Sequence, residues 1–460
     1  MTTSLNSLKP VRVGRYRYTK WRWRIMVRVL DTLGGLATSA WKMIRPQPRF
    51  DTPRRILVVQ LDHLGDAVLT SPLLSRLRAE YPGARLDVLA SPSNREVFEA
   101  DPNVNQVWLA DRNWFERRPG RWALGSAVWR LGRSLRTEKY DLGIDVRGDV
   151  LTVFVLALAG IRRRLGWAMG GGGFLLTDVA EWVPGRHEVR SRMALVETLG
   201  LAHDGPARVV VHSSDAARSK VATLLREAWD DRPVRSSGLS GSPAHVRSVK
   251  KSARARRSHA SVGDSRHVNN SFADIDDPDM LHAGRFGVGA PLLAVHLGAG
   301  TGAKRWPPRH WRTLVARFLN DGWRVVVVGG LEDAEVAAGL DAHENLQDWV
   351  GRLSVTETAA LLERADFFIG ADSGPSHLAA SAGIPSVVLF SGTNKPRQWR
   401  PWSRRSMVIR QDVPCRPCHQ KSCPLADHPC MSQLDPDRVY RAAKRWWSRL
   451  HRAESPHVPI

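Results

Sequence analysis

The chain has 460 residues, 43% of them hydrophobic, which is enough for two ordinary domains with full cores and excludes a disordered chain. Its formal charge of +23 is peripheral: Met1 to Arg55 carries +11 and Arg232 to Arg266 carries +8. A nucleic-acid binder would build its basic stripe on the folded body, and no uncharged apolar run reaches the roughly 18 residues of a membrane span.

From Trp21, the segment WRWRIMVRVLDTLGGLATSAWKMIRP places Met26, Leu30, Leu33, Ala37, Trp41 and Ile44 at helical spacing, with Arg22, Arg24, Arg28 and Lys42 around that stripe. A basic, tryptophan-bearing amphipathic helix suits the surface of an anionic membrane. Docking on the protein's own body is the alternative. The amino terminus lacks a signal peptide's apolar core and cleavage site, so the expected location is the cytoplasm.

A buried strand (Ile56 to Gln60), a glycine-containing loop, a helix to about Tyr81 and a strand at Leu86 to Ala90 make a βαβ unit. Further strands are expected at Gln106 to Leu109 and Asp141 to Val146, with a helix over Ala123 to Arg136. The apolar run Leu151 to Ile161 reads as a buried helix. After a helix over Asp215 to Trp229 the pattern dissolves into a Ser-, Arg- and Gly-rich stretch, most simply a disordered insert or linker. Order resumes with strands at Leu292 to Leu297, Trp323 to Val328, Phe367 to Gly370 and Ser386 to Phe390, alternating with helices. A last helix runs from Pro436 to about His451. The chain thus divides into a basic extension with its helix (1–52), a first α/β domain (53–212), a helix and basic insert (213–289), a second α/β domain with the cysteines (290–435), and a terminal helix and tail (436–460).

In open α/β sheets ligands sit beyond the carboxyl ends of the strands. Three stretches of the second domain put polar groups there. In ADSGPSH, Pro375 fits the first turn of a helix, leaving Ser373 and Gly374 where backbone N–H groups can face an anion, flanked by Asp372 and His377. Helix capping would explain Asp372 or Ser373 but not His377 as well. In HLGAGTGAKRWPP a glycine-rich loop precedes Lys304, a cation able to neutralise a diphosphate without a metal. A glycine turn beside a solvated lysine is the other reading. In VVGGLEDAE, Glu332 follows a strand where an acid can hold ribose hydroxyls, or simply favour a helix start. In the first domain Asp66 enters the first helix and faces the cleft that two such domains would share. A carboxylate there can accept a proton from an attacking alcohol; an N-cap is the alternative. Arg147, after the Asp141 strand, can meet an acidic acceptor or form a surface salt bridge. CRPCHQKSCPLADHPCM has the composition of a zinc site at Cys415, Cys418, Cys423 and Cys430, although reduced thiols in a loop explain it equally.

These pieces together resemble the family 9 glycosyltransferases, the heptosyltransferases of lipopolysaccharide core assembly. The similarity rests on Leu64, Gly65, Asp66 and Pro72, the Asp141 to Asp145 strand, RRLGW at Arg163 to Trp167, HLGAGTGAKRWP, Ala371 to His377, and the cysteine-rich ending. The resemblance implies a GT-B fold, two Rossmann-like domains facing across a cleft, with the last helix crossing back to the first domain. It implies an inverting, metal-independent enzyme using ADP-heptose and a lipid-linked saccharide at the inner face of the membrane. Asp66 would then be the general base, and Lys304 with Ser373 to Pro375 would hold the diphosphate. Thr301 and Gly302 would line that loop, Asp372 and His377 would position the sugar and its phosphate, and Glu332 would bind the ribose. The basic extension and the insert are departures from the family pattern. Rival readings are another GT-B transferase or a nucleotide-sugar epimerase acting on another sugar, and a non-enzymatic membrane- or nucleic-acid-binding protein. A nicotinamide dehydrogenase would want G-x-G-x-x-G after the first strand, where QLDHLGDAV offers one glycine.

Overall fold

Short aliphatic runs buried on both faces form parallel strands rather than half-exposed ones. The computed structural model describes residues 21–44, 52–110, 121–201, 205–229 and 289–454; the insert expected to be disordered lies outside the described residues. Helix α1 (Trp21–Ile44) precedes the first lobe. There β1 (Arg55–Gln60) leads through α2 (Leu64–Val68) and α3 (Ser71–Glu80) to β2 (Arg85–Ala90), α4 (Arg95–Glu99) and β3 (Gln106–Leu109). Helix α5 (Arg121–Arg136), β4 (Leu142–Asp145), α6 (Val150–Leu158), β5 (Arg163–Gly166), β6 (Asp178–Val179) and α7 (Glu188–Thr198) complete it.

The second lobe takes in α8 (Asp215–Trp229), which packs on it through Lys220 and Glu357, 2.9 Å apart. It continues with β7 (Leu292–His296), α9 (Pro308–Asn320), β8 (Arg324–Val328), α10 (Ala334–Ala338), β9 (Leu346–Asp348) and α11 (Val355–Leu362). Strand β10 (Phe367–Ala371), α12 (Gly374–Ser381), β11 (Ser386–Phe390), α13 (Pro396–Trp399), β12 (Ser406–Arg410), α14 (Pro429–Ser432) and α15 (Pro436–Glu454) follow.

Each sheet has six parallel strands, in the orders β3-β2-β1-β4-β5-β6 and β12-β11-β10-β7-β8-β9. Numbered within its own lobe, the second order is the first one reversed, so both are doubly wound. The direction of winding switches between β1 and β4 in one lobe and between β7 and β10 in the other. The crevice at such a switch is where an α/β sheet binds its ligand. It is bordered here by the loops after β1 and β4, and by those after β7 and β10.

Two expectations are corrected. The first helix of the first lobe is two helices, broken at Leu69 and Thr70. Thr70 is buried at the break, where its hydroxyl donates to the Asp66 carbonyl and accepts from the Gln60 amide. The last helix does not cross back to the first lobe. Val439, Ala443 and Trp446, at helical spacing, are buried in the second core, while Lys444 reaches Asp321 at 2.7 Å and Trp447 stacks edge-on against Trp323. The amphipathic pattern of α15 is used up in sealing its own sheet.

Helix α6 is buried along Thr152, Val153, Val155 and Leu156, as its apolar run demands. Helix α1 docks on the first lobe, but not by its apolar stripe. Val27 and Asp31 are buried, and the Asp31 carboxylate accepts the Gly172 N–H at 2.7 Å. Trp21, Ile25, Met26, Val29, Leu33 and Leu36 are left at least half exposed, with Arg22, Arg24 and Arg28 beside them. No helix among the described residues is long and apolar enough to cross a membrane.

Candidate active site

On the first-lobe side, Asp66 lies in the first turn of α2, whose N-cap is His63 with no side-chain cap. Its carboxylate is not spent on capping. Arg192 of α7, only 2% exposed, donates to Asp66 Oδ1 at 3.0 Å, to the Thr70 hydroxyl at 2.9 Å and to Glu188 Oε2 at 2.8 Å. One planar guanidinium thus reaches Asp66, Thr70 and Glu188 at once from nitrogens spread around its fork, whereas a lysine has a single nitrogen. Glu188 Oε1 in turn accepts from Gln398 of the second lobe at 2.8 Å. The ionic chain Asp66–Arg192–Glu188 therefore ends on the opposite wall.

Asp66, Arg192 and Glu188 border a cavity of about 250 Å³ together with Asp62, His63, Arg147, Trp167, Met169, Trp182, Gln398 and Trp399. Charged groups and indole faces suit a hydroxyl-rich ligand with apolar ring faces. Arg147 lines this cavity while paired with Asp62 and lying 3.5 Å from Asp149, so it joins both sequence readings. Its loop is pinned from below by Asp145, which accepts the N–H groups of Arg147 and Gly148, each at 3.1 Å. Burial pushes the Asp145 carboxyl up to about 7, with the Arg147 N–H opposing. Burial also pulls the His63 imidazole down, opposed by Asp62 and helped by Arg147, Lys304 and Lys421. Two of those cations belong to the other lobe.

On that lobe, the loop after β7 turns at Gly302–Lys304 and the chain leaves β10 into α12. Lys304 Nζ lies 2.7 Å from Asp372 Oδ2 and donates to the Asp372 carbonyl at 3.3 Å; Asn394 donates to the same Oδ2 at 2.9 Å. An ammonium has three donors, so a third can meet a phosphate oxygen. Pro375 occupies the first turn of α12. His377 is buried, and burial pulls its imidazole down to about 4, against the Asp372 charge, so it is neutral at pH 7. Its Nδ1 has no hydrogen-bond partner among the described residues.

The two walls touch at glycines. A β-carbon on Gly65 would come within 2.8 Å of the His377 ring, and one on Gly374 within 2.7 Å of Leu64. Only glycine permits that approach of α2 to the start of α12. Asp66 is therefore one residue from the contact with the second lobe's helix.

The structure thus brings Lys304, Asp372, Ser373, Gly374, Pro375 and His377 to one loop pair, opposite Asp66. Thr301 and Gly302 begin the Lys304 turn. Glu332 stands exposed on the turn after β8, while its neighbour Asp333 is buried.

The four cysteines are free. Burial raises the Cys430 thiol, and Cys423, Cys415 and Cys418 add to the shift. Among the described residues no group of three or more His, Cys, Asp or Glu is arranged to hold a metal ion, which corrects the zinc expectation. Cys430 is turned into the second core whereas Cys415 is exposed, so the thiols do not share one environment. The loop braces the Lys304 turn instead: Ala303 N–H donates to the Lys421 carbonyl at 3.0 Å, and the Ala303 carbonyl meets the His428 ring at 3.1 Å.

Comparison with known proteins fits this geometry. Residues 251–428 match the model of glycosyltransferase family 9 (heptosyltransferase). Lipopolysaccharide heptosyltransferase 1 of Pseudomonas aeruginosa is 27% identical over 403 residues, covering 84% of this chain and 96% of that protein. Lipopolysaccharide heptosyltransferase 2 of Escherichia coli is 25% identical over 398 residues, with the same coverage. Over most of its length the chain is thus similar to heptosyltransferases, and residues 251–428 match the family 9 glycosyltransferase domain. The family 9 fold is also that of solved structures. E. coli ADP-heptose lipopolysaccharide heptosyltransferase II superposes with a TM-score of 0.60 at 20% identity, over 86% of this chain and 99% of that one. A family 9 transferase from Veillonella parvula gives 0.62 at 18% identity, over 88% and 99%. The fold of this glycosyltransferase is GT-B.

Within the transferase, sequence reading missed Arg192, Glu188, Gln398 and Asn394. Glu188 and Arg192 carried a signal, an acid and a base four residues apart at the start of a helix. Nothing local marked the two amides.

Proposed function

We propose that this transferase moves a heptose from ADP-heptose to a lipid-linked saccharide of the lipopolysaccharide core, with inversion and without a metal. The observation that carries the reading is the apposition of Asp66 to the Lys304–α12 corner across the glycine contact. In this reading the acceptor hydroxyl gives its proton to Asp66 as its oxygen attacks the anomeric carbon. The bond from that carbon to the diphosphate oxygen breaks, and ADP leaves with the electron pair. Lys304 and the first-turn N–H groups of α12 neutralise the leaving diphosphate, the charge otherwise met by a divalent ion. Thr301 and Gly302 line the diphosphate loop, Asp372 and His377 position the sugar and its phosphate, and Glu332 takes the ribose. Arg147 meets the acidic sugars of the acceptor. The first lobe is then the acceptor domain and the second the donor domain.

The test is ADP release from ADP-heptose, with and without a Kdo-lipid acceptor, in EDTA. Wild-type protein turns over only with acceptor. Asp66→Asn loses about 10³-fold in kcat while binding ADP as before, in keeping with a general base. Near wild-type turnover in Asp66→Asn removes the base assignment.

The same reading puts the enzyme at the inner face of the membrane, held by α1. Support comes from the outward apolar face of that helix and its flanking arginines. In flotation assays, wild-type protein rises with phosphatidylglycerol vesicles and less with phosphatidylcholine ones. The triple change Ile25→Glu, Val29→Glu, Leu33→Glu abolishes this without altering turnover on a soluble acceptor. Equal flotation of the triple variant excludes α1 as the anchor.

A further inference from the structure

Serine at the start of a helix ordinarily turns its hydroxyl onto the first-turn N–H groups. Ser373, the N-cap of α12, does not: no side chain caps this helix. Its hydroxyl faces the other way, 3.1 Å from His296 Nδ1 and 3.2 Å from the Ala371 carbonyl. The second ring nitrogen, Nε2, lies 3.2 Å from Asp333 Oδ2. His296 ends β7 and Asp333 follows β8, and both are buried, so the diverting chain runs through the floor of the lobe. Asp333 is wedged in tightly: a β-carbon on Gly298 would lie 1.9 Å from its Oδ1.

We propose that His296 and Asp333 are positioning residues that hold the Ser373 hydroxyl away from the start of α12, so that its N–H groups stay uncapped for the donor diphosphate. Both protonation states of the ring do this. In the neutral ring Nε2–H donates to Asp333 and Ser373 donates to Nδ1. In the doubly protonated ring Nδ1–H donates to Ser373, whose own proton goes to the Ala371 carbonyl. In neither state does the hydroxyl proton point at the ligand. The diphosphate is therefore met by backbone N–H groups and Lys304, not by the Ser373 side chain. One turn further on, His377 is also buried with its Nδ1 unpartnered among the described residues.

This inference rests on the diphosphate seat proposed above. The experiment measures ADP binding by calorimetry, with donor KM and kcat, for wild type, His296→Leu, Ser373→Ala and the double variant. Losing the imidazole frees the hydroxyl to cap α12 and compete with phosphate. Because a serine N-cap is worth a factor of about five, His296→Leu weakens ADP binding about fivefold and raises donor KM more than it lowers kcat. Adding Ser373→Ala to His296→Leu removes the competitor and recovers at least half of that loss. A double variant as weak as His296→Leu, or weaker, overturns the proposal, since a merely structural histidine predicts that result. Should His296→Leu fold poorly, Asp333→Asn with and without Ser373→Ala makes the same comparison. If none of these changes, nor Lys304→Ala, alters ADP affinity, the diphosphate seat lies elsewhere and both readings fail.

Discussion

The two lobes share one strand order and place their loops at the same switch point, yet they hold their polar groups in different ways. In the second lobe the pairing is between neighbouring loops: Lys304 on Asp372, with Asn394 on the same carboxylate. In the first lobe Asp66 is held by a residue 126 positions later, through a buried guanidinium that also grips Thr70 and Glu188. The second-lobe wall is thus assembled by neighbouring strands of one sheet. The first-lobe wall depends on α7 being docked. The difference teaches that removing a cation from each wall should have different consequences.

Breaking the buried cation should be the larger event. Arg192→Met leaves Asp66 and Glu188 without their shared partner, and losing one side of such a pair costs about 3–5 kcal/mol of stability. Urea midpoints and turnover should fall together, and Arg192→Lys should not restore them, because the single nitrogen of an ammonium cannot reach partners spread around a planar guanidinium fork. A variant that keeps wild-type stability would show that α7 does not organise the site. Lys304→Ala sharpens the contrast from the other wall. Lys304 is about one-fifth exposed, so its pair with Asp372 contributes under about 1 kcal/mol to folding. Its loss should instead lower kcat/KM about a hundredfold, with donor KM rising and kcat falling. A large drop in melting temperature with unchanged kinetics would reverse the comparison.

The same contrast explains what could be read from the chain. The alternation of strands and helices, the glycine turns and the A-D-S-G-P-S-H run are local patterns, so four of the six strands of each sheet and the loops carrying Lys304 and Asp372 were legible, whereas the short or outer strands β5, β6, β9 and β12 were not. Arg192 was not, because nothing near it in sequence announces a partner at position 66. The break at Thr70 was hidden for a similar reason: threonine tolerates a helix interior, and only contacts from Gln60 and Arg192 make its hydroxyl worth turning inward. The apolar stripe of α1 was legible as a helix face. That the helix would dock by Val27 and Asp31, leaving the stripe outside, depends on the Gly172 N–H that Asp31 caps. For α15 amphipathicity was plain, but which sheet it covers is a tertiary fact.

The smallest effect we expect joins the two walls through His187. Its Nδ1 accepts the Val189 N–H at the start of α7, and its Nε2 meets the Arg400 carbonyl of the second lobe at 2.9 Å. Both nitrogens are occupied by a neutral ring, and a proton added to Nδ1 would displace the Val189 N–H. Burial accordingly pulls the imidazole down to about 3, with the Arg400, His377 and Arg192 charges adding to it and the Arg400 carbonyl opposing. Because the folded value lies below the ordinary one, the unfolded chain binds the proton first as pH falls. The stability this ring contributes is therefore whole above about pH 6.5 and drains away down to about pH 3. Between pH 7 and pH 5 the loss is roughly 2 kcal/mol. His187→Asn keeps an N-cap acceptor for α7 but cannot titrate there. Unfolding free energies at the two pH values should differ by roughly 2 kcal/mol less in the variant than in the wild type. The comparison cancels the titration of His377 and Asp145, which both proteins share. An equal acid loss in the two would show that the lobes are not locked through a neutral His187.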